Sequence, residues 1–239
     1  MRALLLTLSL LICAETVSAQ DYESTFGRRY AVALHFALER AGSWRQQCAS
    51  MGADAETLIP VIFPELLRYS LFRSEVESLG LATLYVAEGT QAADFSIGRF
   101  QMKPSFVEAL EGAVAALPSV PPALSCILEF PGAATDRDRR ALRVRRLQSD
   151  AWQLLYLCCF SRVMESRFAM APLSAVERIR LLSSAYNHGF WKTREQIDAA
   201  GLLHLYPNGR AFGRPSPYRY ADVAVDFYER YWRALSSGG

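Results

Sequence analysis

The sequence has little net charge. It carries 26 Lys and Arg against 24 Asp and Glu, a formal net charge of +2, and only 21% of it is charged. So balanced a chain lacks the basic excess of a dedicated nucleic-acid binder, and it is too apolar for a disordered segment. Histidine is scarce: His35, His188 and His204 are scattered, and no cysteine pair has zinc-site spacing. The sequence therefore points to no metal and no cofactor. Beyond the N-terminus no segment is apolar and uncharged for long enough to cross a bilayer. There is no internal repeat, no linker-like composition to split the chain, and no sustained strand-like alternation.

What is present begins at the N-terminus. "MRALLLTLSLLICAETVSAQ" sets Arg2 before an apolar run from Ala3 to Ala14 and closes with Val17-Ser18-Ala19. That is the pattern of a secretory signal peptide, residues 1–19, cut after Ala19. It implies export to the periplasm or cell envelope, with no integral membrane segment left after cleavage. Ile12 is too bulky to precede a lipoprotein cysteine at Cys13. The exported chain keeps Cys48, Cys126, Cys158 and Cys159. Export permits disulfides, four cysteines allow three pairings, and the sequence does not choose among them. Adjacent cysteines rarely pair with each other, so Cys158 or Cys159 is expected as a buried thiol.

With 51% apolar residues the chain can fill a sizeable core. The periodicity predicts a single all-α domain over residues 20–239. A first helix spans "TFGRRYAVALHFALERAGSW" and ends near Gly42. "DAETLIPVIFPELLRYS" is a second, bent or late-starting because of Pro60 and Pro64. A third closes at Gly89, and a fourth has Pro104 in its first turn. "SVPPALSC" reads as a loop or short turn. One long helix is expected from "TDRDRRALRVRR" through "LLYLCCF", with Val144, Leu147, Ala151, Leu155 and Cys158 as its apolar stripe. Ser174 and Glu177 form a capping box for a helix ending at Gly189. "GLLHLYPNGRAFGRPSP" reads as an ordered loop before a last helix. The arginine run from Arg137 to Arg146 reads first as a solvated face.

Three stretches carry candidate chemistry. Glu65 lies in "VIFPELLRYS", among apolar neighbours that would raise its pKa as a general acid requires. The plainer alternative is a surface Glu paired with Arg68. "GRFQMKP" combines Gly98, which permits close backbone approach, with Gln101, a donor and acceptor for a sugar or amide. "SSAYNHGF" sets Tyr186 and Asn187 at the end of a capped helix.

In this order the three motifs resemble those of the lysozyme-like lytic transglycosylase superfamily, the soluble lytic transglycosylase and goose-type lysozyme group. That family has a catalytic Glu at the end of an apolar helix, a G-L-M-Q-x-x-P loop and helix start, and an A-Y-N motif ending a later helix. Glu65, Gly98 to Pro104, and Ala185-Tyr186-Asn187 match these in turn, within about Asp54 to Trp191. The chain departs from the pattern where Leu66 replaces the usual Ser after the Glu. The stretch from Glu65 to Gly98 is also long, and it holds Glu75, Glu77, Glu88 and Asp94. Because Ser78 follows Glu77, Glu77 is an alternative catalytic position.

The resemblance implies a lysozyme-like helical domain with irregular loops. It implies cleavage of the β-1,4 bond between N-acetylmuramic acid and N-acetylglucosamine in peptidoglycan strands. Glu65 would be the single acid/base, Tyr186 would hydrogen-bond near it, and Gln101 and Asn187 would hold N-acetyl or hydroxyl groups. Gly98, Phe100 and Met102 would belong to the substrate groove. A second carboxylate, Asp94 or Glu77, would turn the reaction to hydrolysis. Tyr206, Phe212, Tyr218 and Tyr220 would offer sugar-stacking surfaces or anchor their loop. The rival implication is a non-catalytic envelope protein that binds peptidoglycan or a wall-associated partner.

Overall fold

The computed structural model describes residues 21–69, 75–207 and 217–236. The expected signal peptide and Phe212 lie outside the described residues, as does the side chain of Glu77. The fold is all-α. Helices α1 (Tyr22–Phe26), α2 (Arg28–Ser50), α3 (Ala55–Tyr69) and α4 (Glu75–Glu88) lead to α5 (Pro104–Ala115) and the short α6 (Pro122–Ser125). Then come α7 (Asp136–Leu147), α8 (Asp150–Arg167), α9 (Ala175–His188), α10 (Arg194–Gly201) and α11 (Tyr220–Phe227). A π-helical turn, Tyr228–Trp232, extends α11. Two isolated antiparallel bridges, Ile97 with Met102 and Tyr206 with Tyr218, close loops. One contiguous core runs from Tyr22 to Trp232.

Helix α3 sits at the centre, packed by α2, α9 and α11. Every residue from Thr57 to Leu67 is buried, which fits a helix apolar on nearly all sides. Asp54 starts it by accepting from the Glu56 N–H (3.0 Å) and the Thr57 hydroxyl (2.8 Å). The helix does not start late, since it runs from Ala55 through both prolines. Each proline removes an N–H from the ladder. Two buried tyrosines donate to carbonyls of this stretch: Tyr220 to Val61 (2.9 Å) and Tyr206 to Pro64 (2.8 Å). These two rings therefore anchor the C-terminal segment on α3 and do not face a ligand.

Three other expectations need correction. Gly42 does not end α2, which continues to Ser50. "SVPPALSC" contains the one-turn helix α6, and a 3₁₀ turn, Cys126–Leu128, begins at its last residue. The long helix breaks at Gln148-Ser149 into α7 and α8. That break resets the helical phase, so Ala151 faces solvent while Leu154 and Tyr156 to Phe160 are buried.

The arginine run is only half a solvated face. Arg137, Arg139 and Arg145 are exposed. Arg140, Arg143 and Arg146, spaced three apart on one side of α7, bind inward. Arg140 donates to the Val86 and Ala87 carbonyls (3.0 and 2.8 Å), finishing α4. Arg143 pairs with Glu108 (3.2 Å) and Glu111 (2.7 Å). Arg146 is 3% exposed, donates to the carbonyls of Ile127, Cys126 and Glu129, and stacks on Phe130 and Trp152. Arg146→Gln strands those carbonyls, and we expect a loss of about 3 kcal/mol. The melting temperature should fall by about 6–12 °C in a thermal scan, whereas Arg145→Gln should leave it within about 2 °C.

Candidate functional site

A cleft of about 300 Å³ opens between α3, the loop before α5, and the end of α9. Glu65, Arg68, Asp94, Gln101, Met102, Lys103, Tyr186, Asn187 and Trp191 line it. Its size lies at the small end for ligand sites. Residues from all three sequence motifs meet there.

Glu65 projects from the buried centre of α3 and is 4% exposed. The surface alternative fails, because Glu65 is buried, but the expected pairing with Arg68 is present. One terminal nitrogen of Arg68 lies 3.1 Å from Oε1 and 3.3 Å from Oε2. The Arg68 Nε donates to the Pro207 carbonyl at 3.1 Å, which fixes the guanidinium in place. Burial raises the Glu65 carboxyl above its ordinary value; the charge and hydrogen bond of Arg68, the Tyr220 hydroxyl and Lys103 oppose that rise. The net direction is upward, because removing the carboxylate from water outweighs these contacts.

The loop before α5 is a tight turn. The Ile97 N–H donates to the Met102 carbonyl at 2.9 Å, and Gln101 donates to the Gly98 carbonyl from its backbone N–H (3.2 Å) and from Nε2 (2.7 Å). Gly98 (φ +69°) and Gln101 (φ +52°) both take left-handed backbone; for Gln101 this costs about 1 kcal/mol. Gln153 on α8 holds the turn from behind. Its Nε2 donates to the Ile97 (2.7 Å) and Leu147 (2.8 Å) carbonyls, and its Oε1 accepts from the Phe100 N–H (3.0 Å).

Tyr186 does not hydrogen-bond to Glu65. Its hydroxyl donates to the Phe100 carbonyl at 2.7 Å, tying α9 to the Gly98 turn. The nearby charge of Glu65 adds to burial in keeping the phenol protonated. Phe100 leaves the expected groove set: it is 0% exposed and packs edge-on to Trp44. Gly98 likewise stands against Gln153 and the Leu147 carbonyl and does not line the cleft. Met102, although buried, lines it, as do Gln101 and Asn187. Asn187 Nδ2 lies 3.2 Å from His188 Nε2.

Asp94 is the second carboxylate on the wall. It accepts from the Ser105 N–H (3.0 Å) and hydroxyl (2.8 Å) and lies 3.7 Å from Lys103 Nζ. Trp191, missed by the sequence reading, is 54% exposed. It sits against Gly189, where a Cβ would lie 2.7 Å from the indole, and Arg167 holds its carbonyl at 3.2 Å. Its one sequence signal was its place just after the Tyr186-Asn187 motif. Gln153 was also missed; its signal was one amide directly before the apolar run Leu154 to Phe160. Among the described residues no group of three or more His, Cys, Asp or Glu could hold a metal ion. No helix there is long and apolar enough to cross a membrane. In comparisons with known proteins, the chain matches no family model, no curated protein and no solved structure.

Proposed function

We propose that the chain is an exported lytic transglycosylase that cleaves the MurNAc-β-1,4-GlcNAc bond of peptidoglycan. The observation that supports this reading best is the cleft that Glu65 lines together with Gln101, Tyr186 and Asn187. Burial raises the Glu65 carboxyl, which is the direction a proton donor requires. Glu65 would protonate the leaving glycosidic oxygen. As a carboxylate it would then take the proton from the muramoyl C6 hydroxyl, whose oxygen closes a 1,6-anhydro ring. Gln101 and Asn187 supply amide donors and acceptors for N-acetyl and hydroxyl groups. Asp94, already fixed by Ser105 and Lys103, is the group that would direct a water if the product were hydrolytic.

One observation favours a second reading. The Arg68 pair favours ionised Glu65, and an ionised carboxylate only accepts hydrogen bonds. A glycan-binding envelope protein without turnover would use the cleft in that state. One experiment separates the two: residues 20–239 are incubated with peptidoglycan sacculi beside a Glu65→Gln control, and soluble products are read by mass spectrometry. Anhydro-muropeptides lost in the control support the transglycosylase. Reducing-end products move the mechanism to water and Asp94. Sacculus binding with no product supports the binding protein.

In either reading the exposed indole of Trp191 is placed to stack on a sugar ring. Trp191→Ala should weaken binding of soluble N-acetylglucosamine oligomers roughly tenfold by calorimetry, about 1.4 kcal/mol. Unchanged affinity would remove Trp191 from the binding surface.

A further inference from the structure

We propose that Cys48 and Cys158 form a disulfide that staples α2 to α8. Their sulfurs lie 3.8 Å apart in the buried core, joining positions 110 residues apart in the chain, and α2 packs directly on α8. A bond needs the sulfurs at about 2.0 Å, so the two must move closer for it to form. Of the single bonds that four cysteines allow, the helix geometry selects this one. Successive residues on a helix point about 100° apart. Cys158 meets Cys48, whereas Cys159 turns to the Leu124 carbonyl of α6 at 3.8 Å. Cys126 stays on its own turn, 3.7 Å from the Ala123 carbonyl. Pairing Cys48 with Cys159 would require α8 to rotate about its axis.

The chemistry is thiol–disulfide exchange with a small-molecule or protein disulfide. The Cys158 thiolate attacks the external disulfide and releases one thiol. The Cys48 thiolate then attacks the mixed disulfide, releasing the second thiol and closing the bond, so two protons and two electrons leave the pair. Cys158, although buried, borders a second cleft, about 420 Å³, between the α2–α3 turn and α6. The hydrogen bond to Cys48 and burial keep the Cys158 thiol protonated, so exchange in the native chain is slow. The bond therefore closes during folding, while both thiols are open to solvent. The ring it closes contains α3 and the Gly98 turn, two of the three elements around the Glu65 cleft; the third, the end of α9, lies outside it.

The test is independent of the proposed activity. The reduced, unfolded chain is refolded in a glutathione redox buffer, denatured, alkylated and mapped by mass spectrometry. Cys48 should be protected from alkylation in the wild type and in Cys159→Ala, and alkylated in Cys158→Ala. The oxidised wild type should also melt at a higher temperature than the reduced protein. Alkylation of Cys48 after oxidation in the wild type would overturn the proposal even if the variants misfold. Protection of Cys48 that disappears in Cys159→Ala would overturn it in favour of the other pairing.

Discussion

Glu65→Gln should abolish glycan cleavage, lowering the rate by about 10²–10⁴-fold, the usual contribution of a positioned acid/base. The change is nearly isosteric and the amide oxygen still accepts from Arg68, so binding to sacculi should persist. The pH dependence gives a sharper signature. Proton donation requires protonated Glu65, so the rate should fall as pH rises through its folded-state pKa. Stability should move with it. The folded-state pKa lies above the ordinary value of 4.5, so the folded chain holds this proton more tightly than the unfolded one. The resulting stabilisation is complete below about 4.5 and is lost as pH rises through the folded value. Melting temperatures measured from pH 4 to 8 should decline more in the wild type than in Glu65→Gln, where burial of Glu111 and Asp226 still raises their carboxyls. An equal decline in both would assign the titration to another group, and undiminished cleavage by the variant would end the case for Glu65.

The second large effect concerns a residue that touches no ligand. Gly98→Ala places a Cβ 2.1 Å from the Gln153 amide nitrogen and 2.3 Å from the Leu147 carbonyl oxygen. The carbonyl is backbone at the end of α7, and the amide is held by two hydrogen bonds, so neither yields cheaply. The left-handed backbone at Gly98 adds about 1–2 kcal/mol for any residue with a Cβ. We expect a total loss of about 4–5 kcal/mol and a melting temperature lower by roughly 10–15 °C. Activity should fall even where the variant remains folded, because the displaced turn carries Gln101 and the carbonyl that seats Tyr186. A variant that melts like the wild type would show that the turn has room the structure denies it.

Local rules made much of the fold legible in the sequence. The Ser174–Glu177 capping box, Pro104 at a helix start and Gly89 at a helix end all stand where their chemistry put them. The break between α7 and α8 was masked because apolar spacing continues across Gln148 and Ser149, although Ser149 at the N-cap and Asp150 in the first turn mark a new start. The inward arginines were hidden for a related reason. Composition reads Arg140, Arg143 and Arg146 as charge, whereas the structure uses them as multiple donors to carbonyls on other elements. In the site, Glu65, Gln101, Met102 and Asn187 could be named in advance because each sits in a short motif. Phe100 could not be separated from them, since a motif does not say which of its side chains turns inward. Arg68 was visible as a partner, but its anchor at Pro207 lies 139 residues away.

The tyrosine hydroxyls on α3 also have a consequence in time. Tyr206 and Tyr220 reach Pro64 and Val61 from 142 and 159 residues further along, and the Trp232 indole reaches the Ala55 carbonyl from 177. At about 5–20 residues per second, a ribosome needs roughly 8–30 s to travel from Val61 to Tyr220. Throughout that interval the nascent chain carries Glu65 without the groups that seat its helix. For a chain with the proposed activity, the order of synthesis delays the cutting group: Glu65 is made well before the residues that seat its helix.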